Sequence, residues 1–184
     1  LSVVISGQLS AATLDHFWQR ISEKDGLIAI CLPLLAIVLN GLLSDLGKAR
    51  LVFWRWRDPL PGCRAFSVIM ALDPRIDGPK LRAKLGTFPI EPREQNALWF
   101  RFYKARSSEQ VILESHRVYL LTRDMAALSA VCATCLIPGS WLTGPDWRLA
   151  TIYSVALLAQ YMVLSTSARH YGCRFVANVM VEES

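Results

Sequence analysis

The sequence predicts an all-α membrane protein with three transmembrane helices and a helical, basic cytoplasmic insert between the first and the second. Three observations predict this fold class. The hydrophobic fraction of 53% and the mean hydropathy of +0.31 lie above the range of ordinary soluble domains. The excess is concentrated in three runs without charge, at 27–44, 125–145 and 149–168. Of the 20 Lys and Arg residues, 15 lie at 47–124, between the first two runs.

Residues 1–25 are predicted to be an amphipathic segment that lies in the outer membrane interface. Ser10 is a suitable helix cap, and a short helix packed on the bundle is the alternative. One face of the segment is apolar, through Leu14, Phe17, Trp18 and Ile21. Transmembrane helix 1 follows at 26–46, because a bilayer core needs roughly 20 apolar residues of helix. Its apolar run is too long for a secretory signal, and no Ala-x-Ala cleavage pattern follows it.

The predicted basic cytoplasmic insert, at 47–124, opens on LVFWRWRDPLPGC, in which tryptophan and arginine alternate. Such a pattern is compatible with base stacking, with a half-buried strand or with a membrane surface. Its place directly after an uncharged span favours the membrane surface, where Trp and Arg lie at headgroup depth. Trp54 and Trp56 are therefore predicted to be interfacial anchors.

Local signals predict three helices in the rest of the insert. Pro79 can occupy a first helical position, so that Lys80 to Leu85 form a short basic helix that ends at Gly86. An amphipathic helix is predicted over PREQNALWFRFYKAR. From Ser108 no breaker occurs before Pro138, which predicts a helix of about 30 residues that runs from the insert into the membrane. The insert and transmembrane helix 2, at 125–143, would then be mechanically joined.

Transmembrane helix 3 is predicted at 148–168, and a cytoplasmic tail at 169–184. Basic residues near the ends of spans are retained in the cytoplasm. Two basic residues, Arg20 and Lys24, precede the first span. Five follow it closely, namely Lys48, Arg50, Arg55, Arg57 and Arg64. The predicted topology therefore has the N-terminus outside, the insert inside, a short hairpin outside and the C-terminus in the cytoplasm.

A resemblance supports this placement. The blocks PLPGCRAFS, DPRID, PREQNALWFRFYK and HRVYLLTRDMAALS, which cover about residues 59–130, resemble a recurrent block of an uncharacterised bacterial inner-membrane protein family. No activity comes with this resemblance. It implies a multi-pass protein of the bacterial inner (plasma) membrane.

The candidate binding residues are basic and polar side chains. A basic surface that binds a partner or lipid phosphates is predicted from Arg55, Arg57, Arg64, Lys80, Arg82 and Lys84. The simpler interpretation is that the first three anchor to lipid and the last three only solvate a helix. Asn40 and Gln160 are predicted to make polar contacts between spans.

No catalytic residue, metal site or cofactor is predicted. The sequence holds no phosphate-binding loop and no nucleophile elbow. Cys132 and Cys135 have no ligand partner in sequence, and His116 fits a hydrogen-bonded helix residue better than a base. Three carboxylates could come together for acid–base chemistry, although roles in turns and helix caps explain them more simply. They are Asp73, Asp77 and Glu91.

The expected function is non-enzymatic. We expect an oligomeric membrane effector or channel-like subunit of a multi-protein system, with a basic region that docks or senses a partner. The layout is similar to that of membrane effectors of bacterial anti-phage systems. The alternatives are a structural anchor that recruits a soluble protein, such as one that binds nucleic acid, and a lipid-modifying enzyme. The expected partners are the lipid bilayer, further copies of the chain and a soluble cytoplasmic protein, with nucleic acid bound only indirectly or weakly.

Overall fold

The computed structural model describes residues 34–143 and 146–184, and in this part of the chain the regular structure is entirely helical, as predicted. Residues 34–42 are helical and belong to a unit of their own. The unit that begins at Leu43 contains, in order, α1 (Asp45–Phe53), α2 (Pro61–Leu72), α3 (Gly78–Leu85), α4 (Pro92–Arg106), α5 (Gln110–Thr143) and α6 (Trp147–Glu183).

The helices predicted from local signals form where the signals place them. The Asp77 carboxylate accepts a hydrogen bond from the Lys80 amide at 2.9 Å and so caps α3, which ends before Gly86. Gly86 has a φ of +77°, a conformation that glycine adopts without steric cost. Helix α4 begins at Pro92 and covers the predicted amphipathic segment, and α5 continues through Pro138 to Thr143.

Helix α2 is irregular, and a buried side chain supports it. Its first turn, Pro61–Arg64, is a 3-10 helix and its middle, Ala65–Ile69, is a π-helix, so that several amides lack the usual partners. Gln95 Oε1 accepts hydrogen bonds from the amides of Phe66 and Ser67 at 3.2 and 3.1 Å. This contact joins α2 to α4.

Helices α5 and α6 form an antiparallel hairpin, and both are long and apolar enough to cross a membrane, since each contains an 18-residue stretch with a mean hydropathy of 1.6 or 1.5, respectively. At 1.5 Å per residue, the uncharged stretches 125–143 and 149–168 are about 28 and 30 Å long, which is close to the thickness of a bilayer core. Small side chains are buried where the two helices meet and allow a close approach. They are Ala126, Ala127, Ser129, Ala130, Ala133, Ala150, Ser165 and Ala168.

Beyond the uncharged stretches, α5 and α6 continue into a helical body, here called the head. The head consists of α1–α4 together with residues 110–124 of α5 and 169–183 of α6, and its core contains Phe53, Phe66, Trp99, Phe102, Tyr119 and Phe175. Phe175 lies edge-on to Trp99 with ring centroids 5.3 Å apart and stacks on His116 at 4.8 Å. The head and the hairpin are therefore built on the same two helices.

Two predicted boundaries differ in the structure. Residues 169–183, within the predicted cytoplasmic tail, are the last turns of α6, which bury Phe175, Val176, Val179 and Met180 in the core of the head. Transmembrane helix 1 was extended to residue 46, whereas the backbone leaves the helix at 43–44 and α1 begins at Asp45. Ser44 Oγ caps α1 by accepting a hydrogen bond from the Gly47 amide at 3.1 Å. Residues 26–33 of that span, and the predicted interfacial segment 1–25, lie outside the described residues.

Candidate anion-binding groove

The C-terminus of α1 is capped by side chains of α6. The last carbonyl groups of a helix have no partner within it and attract donors and positive charge. Tyr161 Oη donates to the Leu51 carbonyl at 2.7 Å, and Arg169 Nε donates to the Val52 carbonyl at 2.5 Å. These two bonds fix α1 against α6, one from within the uncharged stretch of α6 and one from the residue that follows it.

Trp54 belongs to the same arrangement. It ends α1 with a left-handed conformation, at a φ of 52°. Its indole Nε1 donates to Tyr161 Oη at 2.9 Å, and the Arg169 guanidinium lies over its ring at 3.5 Å from the centroid. The side chain is still 49% exposed, so that Trp54 is held by the protein on one face and open on the other.

An open groove of about 800 Å³ lies between the end of α1, the helix α2 and the outer face of α6. We call it the arginine groove. Its lining consists of Phe53, Arg55, Arg64, Val68, Ile69, Leu72, Asp73, Pro74, Arg75, Arg169, Cys173, Arg174 and Ala177. Five of these side chains are positively charged and one is negatively charged, so that the groove carries a net charge of about +4 at neutral pH.

The one carboxylate in the lining is already engaged. Asp73 Oδ1 accepts from Arg75 Nε at 3.0 Å, and Asp73 Oδ2 accepts from Arg75 Nη2 at 2.7 Å. This bidentate contact with Arg75 lowers the pKa of Asp73 below its ordinary value, so that the carboxylate is ionised at neutral pH. Arg75 Nη2 also reaches Asn178 Oδ1 at 3.3 Å, which ties the pair to α6.

The remaining arginines of the groove have no carboxylate partner among the described residues. Arg64 is half-buried over the ring of Phe53, 5.5 Å from its centroid. Burial, and next the nearby charge of Arg55, lower the pKa of Arg64, although a guanidinium keeps its proton at any physiological pH. Arg55 and Arg174 are exposed at the mouth. The groove thus gathers like charges that an anion would compensate.

The structure brings two of the six predicted basic residues, Arg55 and Arg64, into one groove. Arg57 lines a different groove, together with Arg50 and Trp56. The other three lie on α3, where Arg82 covers the ring of Phe88 and Lys84 pairs with the carboxylate of Glu183. Lys80 contributes its amide to the helix cap, and its side chain is exposed.

The other predicted contact residues have separate surroundings. Trp56 is 82% exposed, and Arg50 lies 5.9 Å from its ring centroid. Gln160 is exposed in the middle of the uncharged stretch of α6, so that it does not lie between α5 and α6. Asn40 lies in the helical residues 34–42, which form part of the other unit.

The carboxylates and histidine considered as candidates for acid–base chemistry have local roles. Asp77 caps α3, Glu91 precedes α4, and His116 Nδ1 lies 3.1 Å from Tyr103 Oη in the head. Within 34–143 and 146–184, no group of three or more His, Cys, Asp or Glu side chains is placed to hold a metal ion. The described cysteines are free thiols, including Cys132 and Cys135.

Sequence reasoning missed Arg75, Arg169 and Arg174 as members of one site. A partial signal was present, because Arg169, Cys173 and Ala177 recur every four residues and so share one face of a helix. Nothing local indicates that this face meets α2.

No protein-family model, curated protein or solved structure matches the chain.

Proposed function

We propose that this protein is a non-enzymatic membrane protein whose helical head binds an anionic ligand at the membrane surface. The observation that carries the proposal is the arginine groove, where five arginines face one carboxylate that Arg75 already holds. Asp73 is held by Arg75, and burial raises the pKa of the Cys173 thiol, so that the lining favours binding over catalysis. Guanidinium groups form bidentate hydrogen bonds with phosphates and carboxylates, which makes arginine well suited to such a ligand.

The groove is also joined to the hairpin. Arg169 and Arg174 belong to the same unbroken helix as the uncharged stretch 149–168. A ligand that draws these two arginines towards α2 would act directly on that helix. We therefore propose that the head senses or docks its ligand and that α6 transmits the effect to the membrane-spanning part.

The charge pattern supports a cytoplasmic location for the head. Most of the Lys and Arg residues of the chain lie at 47–124, and basic segments near spans remain in the cytoplasm. We propose a bacterial inner-membrane protein with three spans, of which α5 and α6 supply two and the apolar run that ends before α1 supplies the first.

Thermal unfolding in detergent tests the anion site. Pyrophosphate should raise the Tm of the purified chain more than sodium chloride at the same ionic strength, because a ligand of the native state alone stabilises it. The rise should be lost in Arg55→Gln/Arg174→Gln, whose two side chains are exposed and form no hydrogen bond with the described residues. The matched control is Lys80→Gln/Arg82→Gln, which removes the same charge from α3 and should keep the rise. If sodium chloride and pyrophosphate raise the Tm of the unaltered chain equally, the proposal is wrong.

A second candidate function is assembly into an oligomeric membrane effector or channel-like complex. One observation favours it, because Gln160 exposes an amide in the middle of an uncharged, membrane-length stretch. In hydrocarbon such a side chain is stabilised by a hydrogen bond to another helix. Gln160→Leu should then weaken self-association of the chain in detergent, measured by light scattering, while Gln110→Leu at the start of α5 should not. An unchanged particle mass for Gln160→Leu would remove this support. Membership of an anti-phage system stays a prediction from the layout.

A further inference from the structure

The arginine groove lies where the lipid headgroups of a bilayer would begin. The uncharged stretch of α6, 149–168, is about 30 Å long at 1.5 Å per residue, and Arg169 is the first charged residue after it. Arg174 follows five residues later, which is about 7.5 Å further along the helix. Since a bilayer is about 30 Å thick in its core and about 40–45 Å with its headgroups, each headgroup layer is about 5–8 Å deep. Arg169 and Arg174 therefore span one such layer.

The groove is amphipathic in the way that a phospholipid requires. Beside the arginines, its α2 side exposes Leu72 to 76% and Val68 to 41%. Exposed apolar side chains next to guanidinium groups would be of little use to a fully hydrated anion. A phospholipid would cover them with the carbon atoms of its headgroup while its phosphate meets the arginines, because this wall lies with Arg174 and Ala177, beyond the uncharged stretch.

Two exposed tryptophans flank Arg55 of the groove in sequence. Trp54 packs beneath Arg169 and remains 49% exposed, and Trp56, two residues later, is 82% exposed. Tryptophan is enriched at headgroup level because its ring is apolar and its indole N–H is polar. The neighbourhood of the groove therefore has the composition of a membrane interface.

We propose that the arginine groove binds the phosphate group of an anionic phospholipid of the inner leaflet. This inference rests on the proposed function and names its ligand. Arg55, Arg64 and Arg174 contact the phosphate, Arg169 is held in place by the Val52 carbonyl and the Trp54 ring, and Val68 and Leu72 contact the headgroup carbon atoms on the side of the phosphate away from the bilayer core. A zwitterionic lipid is disfavoured, because its ammonium group would enter a cluster of like charges.

Native mass spectrometry of the full chain from detergent tests the assignment. The probes are phosphatidylglycerol, phosphatidylcholine and the soluble glycerol 3-phosphate. We expect phosphatidylglycerol to be retained at least tenfold more strongly than phosphatidylcholine. A basic residue near an anionic surface contributes about 1 kcal/mol, so that Arg55→Gln/Arg174→Gln should weaken phosphatidylglycerol binding about thirtyfold. The control, Lys80→Gln/Arg82→Gln, should stay within about threefold of the unaltered chain, since α3 lies outside the groove.

The outcomes separate the ligand from the site. The lipid assignment is overturned if the two lipids are retained equally. It is also overturned if glycerol 3-phosphate binds as tightly as phosphatidylglycerol. Both results count against it even if pyrophosphate stabilises the chain through the same arginines. In that case the proposed anion-binding function stands with a soluble ligand. The lipid assignment is also overturned if the α3 control loses its preference for phosphatidylglycerol to the same extent as the groove variant. The preference would then depend on net charge alone.

Discussion

Gln95 shows how one buried amide organises the head at the residue scale. Its Oε1 accepts from the amides of Phe66 and Ser67 and from the Ser67 hydroxyl, and its Nε2 donates to the Ile90 carbonyl at 3.0 Å. The side chain is only 2% exposed. Water therefore cannot replace it easily, and an unpaired buried amide costs about 1–3 kcal/mol.

Replacing this amide should destabilise the head. Gln95→Leu keeps a similar volume but leaves the two α2 amides without an acceptor, so that we expect the free energy of unfolding to fall by about 2–4 kcal/mol. Chemical unfolding in mild detergent, followed by circular dichroism, measures the loss. The same substitution at the exposed Gln110 is the control and should change stability by less than about 0.5 kcal/mol. Equal stabilities of the two variants would contradict this role of Gln95.

Gly172 makes a close approach of three helices possible. A Cβ atom at this position would lie 2.9 Å from Tyr119 Cε2 on α5 and 3.0 Å from Phe53 Cζ on α1. Such distances are shorter than normal carbon contacts, so that a larger residue would push the helices apart. The lack of a side chain at Gly172 therefore determines how closely α1 packs against α5 and α6 in the head.

At the scale of elements, α1 depends on α6. Nine residues are too few for a helix to be stable on its own in water, and α1 gains its stability from packing and from its caps. Ser44 caps its N-terminus, while Tyr161 and Arg169 satisfy two carbonyl groups at its C-terminus. The N-terminal cap is local, whereas both donors at the C-terminus come from more than a hundred residues further along the chain.

Removal of the Tyr161 hydroxyl should loosen α1. Tyr161→Phe deletes the donor to the Leu51 carbonyl and the acceptor for Trp54 Nε1, which should weaken the local structure by about 1–2 kcal/mol. Hydrogen exchange of the α1 amides, measured by mass spectrometry, should then become about five- to thirtyfold faster. Tyr171→Phe, an exposed tyrosine on the same helix, is the matched control and should leave the exchange of α1 unchanged. Similar exchange in both variants would show that the cap is unimportant.

For the molecule as a whole, the boundary between head and hairpin is marked by paired charges. Lys48, which is 6% exposed, lies 3.3 Å from Asp124, and Arg123 Nη2 lies 2.9 Å from Asp45 Oδ1. Asp124 is the last charged residue before the uncharged stretch of α5. Buried charges are tolerated when they are paired, and here the pairs join α1 to α5 where the polar head gives way to the apolar hairpin.

The orientation of this boundary is testable by labelling single cysteines in a cysteine-free chain. We expect Asp146→Cys, between α5 and α6, to react with a membrane-impermeant maleimide on intact spheroplasts, because basic segments stay inside. Arg101→Cys, on the exposed face of α4, should react only after permeabilisation. As a control, both cysteine variants should be fully labelled after permeabilisation, which shows that each thiol is reactive. Labelling of Arg101→Cys from outside would place the head on the opposite side and contradict the proposed topology.

Much of the secondary structure was predictable because its signals are local. The Asp77 cap, the proline at the start of α4 and the unbroken apolar pattern after Ser108 each act within a few residues, and α3, α4 and α5 follow them. Residues 169–183, which lie in the predicted cytoplasmic tail, continue α6 into the core of the head. The apolar residues of this segment do not by themselves indicate a partner. They belong to the core because aromatic side chains of α4 and α5 pack against them.

The sequence by itself determined the helical class of the described residues, the two membrane-length helices and the excess of positive charge between the apolar runs. Only the tertiary structure decided which of those charges meet. Arg64 and Arg169 are 105 positions apart, and they line one groove because α1 and α2 pack against α6. Trp54 and Tyr161 likewise form a hydrogen bond across 107 positions. Local propensity acts over a turn or two of helix, whereas the arginine groove arises from packing between helices that are distant in the chain.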